Sequence, residues 1–379
     1  MAAHRNFRAI WGKFCALIML GSMMTACVSA DGPRIVPRPP ADRPVSSPPP
    51  SQTTMPAPPP RTSTPPRSAG SIDPALQQFI FEEWRKFPGK TGVAVLRIDG
   101  TGLVGQRLTD LFPQQSVSKT WVALTVLDQV DQGKLSLNQN VRITPDDVAV
   151  FYQPLGDRVT REGVVNESIA RLLELAITSS DNTANDNLLR VAGGPDAVRA
   201  FIGKHGLGQI RFGPGERLLQ SGIAGMEWRQ EYSVGRRFYA ARDAVPYDRR
   251  KAALDAYLAN PVDGASPEAI ANALARLARG ELLSASSTRL MLSLMEQVKS
   301  GPNRLKAGVP AGWRFGHKTG TGQILPPVST GYNDIGIMTA PDGTRYAVVV
   351  MMADTTASVP ERMQFMQSIS RATANLHQP

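Results

Sequence analysis

The sequence predicts a mixed α/β protein of the two-domain α+β type, with one sheet and an all-helical domain. Three observations lead to this prediction. Two strand patterns follow residue 90, a helix-rich region extends over about 131–300, and two further strands precede a final helix. Strands, helices, strands and a helix in this order favour a sheet built from both ends of the folded region, with the helical domain inserted between them.

The first predicted elements are a helix, two strands and an apolar helix. Residues 73–86 have apolar residues at helical spacing, and Pro74 suits the first position of a helix. Residues 91–99 read as a β-strand, and a glycine-rich turn leads into a second strand. The next helix is predicted over 116–130, and Gly133 ends it because glycine readily adopts the backbone conformation of a helix C-cap.

Helical spacing of apolar residues predicts five helices in the middle of the chain, over residues 166–178, 182–190, 195–204, 267–279 and 286–298. Two strongly apolar strands follow at 334–339 and 345–352, and the turn 341–343 joins them. A last helix is predicted over 360–376. Ser358 caps it, because a serine hydroxyl can accept a hydrogen bond from the free N–H groups of a first turn.

The N-terminus has the features of an export signal over residues 1–27. A basic start precedes the apolar run 14–24, which is shorter than the roughly 20 residues of a membrane span. The ending Met24-Thr25-Ala26-Cys27 looks like a bacterial lipobox, in which the cysteine is lipidated. The alternative is an ordinary signal cleaved near Ala26 or Ala30. We expect an exported, periplasmic protein that meets the membrane only through a lipid anchor at Cys27.

Residues 28–72 predict a disordered proline-rich linker, since 14 of the 31 prolines lie between residues 33 and 70. Residues 1–70 also carry +6 of the formal net charge of +10, so only +4 remains for residues 71–379 and the high pI says little about nucleic-acid binding. No basic motif with interleaved aromatic residues is present, and we expect no nucleic-acid partner. Both cysteines, Cys15 and Cys27, precede the folded region, which therefore has neither disulfide nor thiol chemistry.

Three short motifs carry the chemistry, Ser116-Val-Ser-Lys119, Ser180-Asp181-Asn182 and Lys318-Thr319-Gly320. A serine hydroxyl becomes a nucleophile when a neighbour takes its proton, and Lys119 shares a helix face with Ser116. A lysine accepts that proton when its pKa is depressed, and Lys318 is the expected second cation. Each motif alone has an ordinary alternative: a surface helix pair, a helix cap or a strand end. Together they predict acyl transfer through an acyl-serine.

The sequence offers few of the residues that other hydrolytic mechanisms or metal-dependent chemistry would require. The four histidines do not favour a Ser-His-Asp arrangement, and no Gly-x-Ser-x-Gly surrounds a candidate serine. No cluster of histidines or cysteines offers a zinc site. We expect neither a metal nor a cofactor.

The motif set resembles that of class A serine β-lactamases, or of close relatives among penicillin-recognising serine hydrolases. The resemblance covers residues 73–379 and includes Phe112-Pro-Gln-Gln-Ser116, Ser180-Asp-Asn-Thr-Ala184, Gly193-Gly-Pro195, Gly280-Glu-Leu-Leu283, Pro310-Ala-Gly-Trp313 and Lys318-Thr-Gly-Thr-Gly322. It implies the β-lactamase/DD-peptidase fold, an antiparallel sheet flanked by helices with a helical subdomain of about 131–300. It also implies Ser116, Lys119 and Ser180 as catalytic residues.

The resemblance further implies a glutamate that activates the water for hydrolysis of the acyl-enzyme, within an E-x-x-L-N motif on an Ω-shaped loop. Ungapped counting from Ser180 places it at Glu216, where the motif reads Glu216-Arg-Leu-Leu219-Gln220. The alternative is a surface glutamate that follows Gly213-Pro-Gly215. The family's nearby asparagine falls on Asp186, and two close carboxylates raise the pKa of one of them.

The resemblance assigns substrate binding to Asn182, Lys318, Thr319, Gly320 and Thr321, and β-lactams and wall peptides both present a carboxylate there. An arginine that many class A enzymes place on the next strand falls on Asn333. Other members take it from a loop before Lys318, which points to Arg304 as a bidentate partner of the carboxylate. The alternative for Arg304 is a solvated surface residue.

Between Gln220 and Ser266 the chain has more residues than the family leads us to expect. We expect this extra segment, about 221–265, to form a lid over the site or a surface helix pair. The expected function is that of a serine β-lactamase acting on β-lactam antibiotics, in a chain expected to be monomeric. One alternative is a D-alanyl-D-alanine carboxypeptidase or transpeptidase that acts on peptidoglycan. Another is a non-catalytic wall-binding lipoprotein.

Overall fold

The computed structural model describes residues 70–379. The predicted export signal 1–27, the lipobox cysteine Cys27 and nearly all of the predicted linker 28–72 lie outside the described residues. Among the helices of residues 70–379, none combines the length and the apolar character that a membrane crossing requires.

The strands of the described region are, in chain order, β1 (Lys90–Arg97), β2 (Leu103–Gln106), β3 (Phe112–Pro113), β4 (Asn140–Ile143), β5 (Val165–Ser168), β6 (Gly264–Ala265), β7 (Arg314–Thr321), β8 (Ile324–Leu325), β9 (Val328–Ser329), β10 (Tyr332–Thr339) and β11 (Arg345–Ala353). Five of them form the main sheet in the order β2-β1-β11-β10-β7, with antiparallel neighbours. Strands from both ends of the folded region therefore meet in one sheet, as predicted.

The helices of residues 70–379 are α1 (Pro74–Trp84), α2 (Lys119–Asp131), α3 (Pro154–Glu162), α4 (Ile169–Glu174), α5 (Asn182–Val191), α6 (Pro195–Lys204), α7 (Glu216–Ile223), α8 (Arg237–Asp243), α9 (Tyr247–Ala259), α10 (Pro267–Ala278), α11 (Ala285–Glu296) and α12 (Val359–Asn375). The predicted cap at Ser358 is present, since its hydroxyl accepts from the N–H of Glu361.

The main sheet is covered on both faces, and the alternation of side chains along a strand explains how. In β11, Val348 and Val350 pack with α1 and α12, whereas Val349 and Met351 face the other core, which contains α2, α10 and α11. Because both faces are buried, the strand is apolar along its whole length. The second core continues into the helical region, where Trp121 of α2 is fully buried.

Two of the predicted helices differ from the structure. The segment 166–178 was expected to be one helix, but it begins as β5, which pairs with β4, continues as α4, and ends in a π-helical turn at Leu175–Ser179. The Ser168 hydroxyl caps α4 by accepting from the Arg171 N–H, so the helix begins there. The helix predicted from residue 116 begins with a 3₁₀ turn at Gln115–Ser118, and α2 follows.

Candidate active site

Ser116 lies in the 3₁₀ turn that enters α2, where the sheet meets the helical region. The three-residue spacing places Lys119 on the same side, and its Nζ donates to Ser116 Oγ over 2.8 Å. Lys119 is only 1% exposed, so its Nζ depends on protein partners rather than on water. The pair therefore joins an accessible hydroxyl to a buried amine.

Lys318 comes from β7, at the edge of the sheet beside this turn. Its Nζ lies 2.9 Å from Ser180 Oγ and 3.0 Å from the Thr319 carbonyl oxygen. Burial, followed by the charges of Lys119 and Arg304, holds the pKa of Lys318 well below its ordinary value of 10.5. The pair of cations expected from the sequence is thus present, and it acts on the pKa of Lys318.

The Ser180-Asp181-Asn182 motif links the π-helical turn to α5. Asp181 is the helix cap, since its Oδ1 accepts from the Ala184 N–H over 2.8 Å. Ser180 has a left-handed backbone with φ of 61°, and it faces the cleft together with Asn182. Asn182 Nδ2 donates to the Val150 carbonyl, whereas its buried Oδ1 has no protein partner. A buried acceptor without a partner is costly, so this atom is suited to receive a ligand N–H.

Gly320 allows β7 to approach the nucleophile turn closely. A Cβ atom at this position would lie 2.3 Å from the Gln114 carbonyl oxygen, which no side chain could tolerate. The Gly322 N–H bonds to Gly331, so the N–H of the preceding residue, Thr321, points to the open edge of the sheet. On the other side of Gly320, the Thr319 hydroxyl shares a 2.7 Å hydrogen bond with the Ser300 hydroxyl.

Glu216 is the first residue of α7 and is 7% exposed, so it is not the surface glutamate of the alternative interpretation. Its Oε2 lies 3.8 Å from Lys119 Nζ, and its Oε1 accepts from Gln220 Nε2 over 3.1 Å. Gln220, the residue that replaces the asparagine of the E-x-x-L-N motif, thus still donates an amide hydrogen to this carboxylate.

Asp186 is the second carboxylate at this place, as predicted. Burial and then the charge of Glu216 raise its pKa from an ordinary 3.8 to about 6. Arg217 Nε, 3.6 Å from Asp186 Oδ2, offsets part of this effect, as does the Glu216 N–H that donates to Asp186 Oδ1 over 3.2 Å. The predicted rise in pKa is therefore confirmed, and it falls on Asp186.

Arg304 is buried, contrary to the alternative of a solvated residue. Its guanidinium donates to the carbonyl oxygens of Gly320 and Asn333 over 3.0 and 2.6 Å, and to Thr321 Oγ1 over 2.5 Å. The group lies 3.8 Å from the centroid of the Tyr332 ring, a cation–π contact. Its Nε has no protein partner. Arg304 thus fixes the end of β7 and presents positive charge to the cleft.

These side chains surround a cavity of about 410 Å³ lined by Ser116, Phe151, Tyr152, Ser179, Ser180, Asn182, Glu216, Lys299, Ser300, Arg304, Thr319 and Thr321. Sequence reasoning did not single out Phe151 and Tyr152, for which the only signal is an aromatic pair ahead of a helix that begins with proline. In the described part of the chain, no group of three or more histidine, cysteine, aspartate or glutamate side chains could hold a metal ion.

Residues 73–377 match the Beta-lactamase enzyme family. The chain belongs to this family. Beta-lactamase VEB-1 of Pseudomonas aeruginosa is 26% identical over 267 residues, 70% of this chain and 78% of that protein. Extended-spectrum beta-lactamase PER-1, also of Pseudomonas aeruginosa, is 30% identical over 247 residues, 65% of this chain and 69% of PER-1.

Solved β-lactamase structures have the same fold. TLA-1 extended-spectrum β-lactamase superposes with a TM-score of 0.66 at 25% identity, over 80% of this chain and 98% of TLA-1. A β-lactamase from Chitinophaga pinensis gives a TM-score of 0.64 at 27% identity, over 79% of this chain and 97% of that one. The predicted fold, the class A resemblance and the assignment as a serine β-lactamase are confirmed, and the peptidase and non-catalytic alternatives are not favoured.

Proposed function

We propose that this β-lactamase opens β-lactam rings through an acyl-enzyme on Ser116, and that Glu216 activates the water that releases the product. The supporting observation is that Lys119 lies between the Ser116 hydroxyl and the Glu216 carboxylate, so two groups that can accept a proton are linked to this hydroxyl. Lys119 Nζ lies 2.8 Å from Ser116 Oγ, and Glu216 Oε2 lies 3.8 Å from the same nitrogen. A carboxylate in this position favours hydrolysis of the acyl-serine over its transfer to an amine.

In the acylation step, Ser116 Oγ attacks the carbonyl carbon of the lactam while its proton passes to Lys119 Nζ, which acts in its neutral amine form. The oxyanion that forms can be stabilised by the backbone N–H groups of Ser116 and Thr321, which lie at a helix start and at the open sheet edge. The lactam C–N bond then breaks, and the Ser180 hydroxyl carries the proton to the ring nitrogen. Lys318, 2.9 Å from Ser180 Oγ, orients this hydroxyl.

In the deacylation step, Glu216 takes a proton from a water molecule, and the oxygen of that water attacks the ester carbonyl carbon. The bond from this carbon to Ser116 Oγ breaks, and Oγ regains a proton through Lys119 as Glu216 gives up the proton that it took from the water. The product is the ring-opened acid with a new carboxylate. Gln220 holds the Glu216 carboxylate by a 3.1 Å hydrogen bond and so sets the direction in which it receives the proton.

Substrate binding is proposed to use the cations and hydroxyls at the edge of the sheet. The substrate carboxylate would meet Lys318, Thr319, Thr321 and Arg304, since charge-assisted hydrogen bonds to arginine are strong and directional. Asn182 Oδ1, which is buried without a partner, would accept the N–H of the substrate side chain. Gly320 lets the strand come close enough for both sets of contacts.

The variant Glu216→Gln tests the proposed roles. It keeps the shape of the side chain but cannot take a proton, so we expect acylation by a penicillin to continue and the acyl-enzyme to accumulate. Mass spectrometry of the intact protein during turnover measures this adduct. The matched control is Glu231→Gln, a glutamate whose side chain is 56% exposed, and it should turn over like the wild type. Wild-type turnover by Glu216→Gln would contradict the role of this carboxylate.

Class A β-lactamases are typically exported, and we further propose that this chain is lipid-anchored through Cys27 and works as a monomer. The support for the anchor is the lipobox pattern of the sequence. Fractionation of cells that express the whole chain should find it in the membrane fraction. Recovery of the protein in the soluble fraction would contradict the anchor.

A further inference from the structure

The inserted segment, which lies between Gln220 and β6, contributes a buried tyrosine to the active site. Tyr257 lies on α9, is 7% exposed, and packs its ring against Leu219 and Ile223 of α7. Its hydroxyl donates to Asp263 Oδ1 over 2.9 Å and accepts from Gln115 Nε2 over 2.6 Å. The inserted segment therefore reaches the residue that directly precedes the nucleophile.

Gln115 is held at both its backbone and its side chain. Its N–H donates to Asp263 Oδ2 over 2.8 Å, while its side-chain amide donates to the Tyr257 hydroxyl that binds the other oxygen of the same carboxylate. The hydrogen bonds thus form a closed ring of three residues. Gln115 has a φ of 54°, in the left-handed region that a residue with a side chain rarely adopts. Such a conformation persists only where its surroundings impose it.

The same side chain continues the network to Glu216. Gln115 Oε1 accepts from Gln220 Nε2 over 2.9 Å, and that amide also donates to Glu216 Oε1 over 3.1 Å. Gln323 donates to Gln220 Oε1 over 3.0 Å and fixes which end of the amide faces Glu216. An uninterrupted chain of hydrogen bonds therefore leads from Tyr257 through two glutamines to the carboxylate of Glu216.

We propose that Tyr257 is a positioning residue for β-lactam hydrolysis, which orients Gln115 and, through Gln115 and Gln220, the carboxylate of Glu216. The inference rests on the proposed role of Glu216 in deacylation. It assigns a function to the inserted segment beyond that of a surface helix pair. Because the Gln115 N–H keeps its own bond to Asp263 when the tyrosine hydroxyl is removed, deacylation depends on Tyr257 more than acylation does.

The test is Tyr257→Phe, which removes one hydroxyl and leaves the ring in its apolar contacts. The Gln115 amide then loses its acceptor, and Gln220 loses a fixed partner. We expect the deacylation rate constant to fall by about tenfold or more, with acylation changed by less than about threefold. Rapid-quench mass spectrometry with a penicillin separates the two constants. The control is Tyr247→Phe on the same helix, at a residue that is 56% exposed, and it should match the wild type.

Three outcomes decide the matter. A selective loss of deacylation at an unchanged melting temperature supports the proposal. Deacylation within twofold of the wild type, or an equal loss of both rate constants with a lower melting temperature, overturns it. Glu216→Gln is measured alongside, because failure of that variant to accumulate an acyl-enzyme would reject the proposed function itself, whatever Tyr257→Phe does.

Discussion

The two sides of the catalytic cleft are positioned by different parts of the protein. Ser116 and Lys119 are placed by one helical turn, and Lys318 by a strand within the main sheet, so backbone hydrogen bonds determine their positions. Glu216 stands on a short helix and is oriented by side-chain amides, first of all Gln220. A side-chain network requires every member to be in place, whereas a strand keeps its geometry when one side chain changes.

The two sides also carry opposite charges. Lys119 and Lys318 gather on the nucleophile side, whereas Glu216 and Asp186 lie on the other. Asp263 joins the two sides, since it accepts from the Gln115 N–H beside the nucleophile and from the Tyr257 hydroxyl. Burial raises the pKa of Asp186 and of Asp263 to about 6 each, with the charge of Glu216 adding to the effect. We conclude that the carboxylate side can change its charge near neutral pH. Because Glu216 depends on a network of side chains as well as on these charges, the deacylation machinery should tolerate substitutions around it less well than the acylation machinery does.

The largest effect is expected on the nucleophile side, from Ser116→Ala. The variant lacks the only atom to which the substrate is proposed to attach, so hydrolysis of penicillins should fall by about ten thousandfold or more. Mass spectrometry should find no acyl adduct, while the melting temperature stays near that of the wild type. An adduct that persists would place the nucleophile elsewhere and would remove the basis of the comparison.

The sequence predicted the nucleophile side better than the Glu216 side, for a physical reason. Ser116 and Lys119 are three residues apart, and Lys318, Thr319 and Gly320 are consecutive, so short local motifs identify both groups. The link between Gln115 and Tyr257 joins residues 142 positions apart, which no local periodicity encodes. The aromatic residues of the inserted segment were visible in the sequence, but not which of them would reach the cleft.

The next effect is expected on the carboxylate side, from Asp186→Asn. The pKa of Asp186 is about 6 in the folded protein and 3.8 as its ordinary value, so ionisation of this group favours the unfolded state. The folded wild type should therefore lose stability as the pH rises from about 4 to about 6. The asparagine variant has no such charge and can keep an oxygen toward the Glu216 N–H. At pH 7 it should be more stable by up to about 3 kcal/mol, with the difference vanishing below about pH 4.

Denaturant unfolding of both proteins at pH 7 and pH 4 measures this difference. Asp196→Asn is the matched control, because the Asp196 side chain is 91% exposed and should contribute no comparable pH dependence. If Asp186→Asn were less stable than the wild type at pH 7, the contact with Arg217 would outweigh the cost of burial. The carboxylate side would then be held by charge pairing rather than weakened by repulsion.

The smallest effect concerns the cation that completes the nucleophile side, Arg304. Its guanidinium is buried, already bonded to the carbonyl oxygens of Gly320 and Asn333, and rests on the Tyr332 ring. Such a preorganised group can meet a carboxylate with little loss of side-chain freedom. We expect Arg304→Ala to raise KM for penicillins by about tenfold or more, which corresponds to about 1.4 kcal/mol of lost binding.

Two comparisons separate the charge of Arg304 from its support of Thr321. Lys306→Ala, at an exposed residue of the same loop, should leave KM near the wild-type value. A penicillin whose carboxylate is esterified has no anion for Arg304 to bind. Its KM should therefore be similarly high for Arg304→Ala and for the wild type. If the KM for the ester were still about tenfold higher for Arg304→Ala than for the wild type, the arginine would act by shaping the end of β7. A KM within twofold of the wild type for the free acid would contradict both roles.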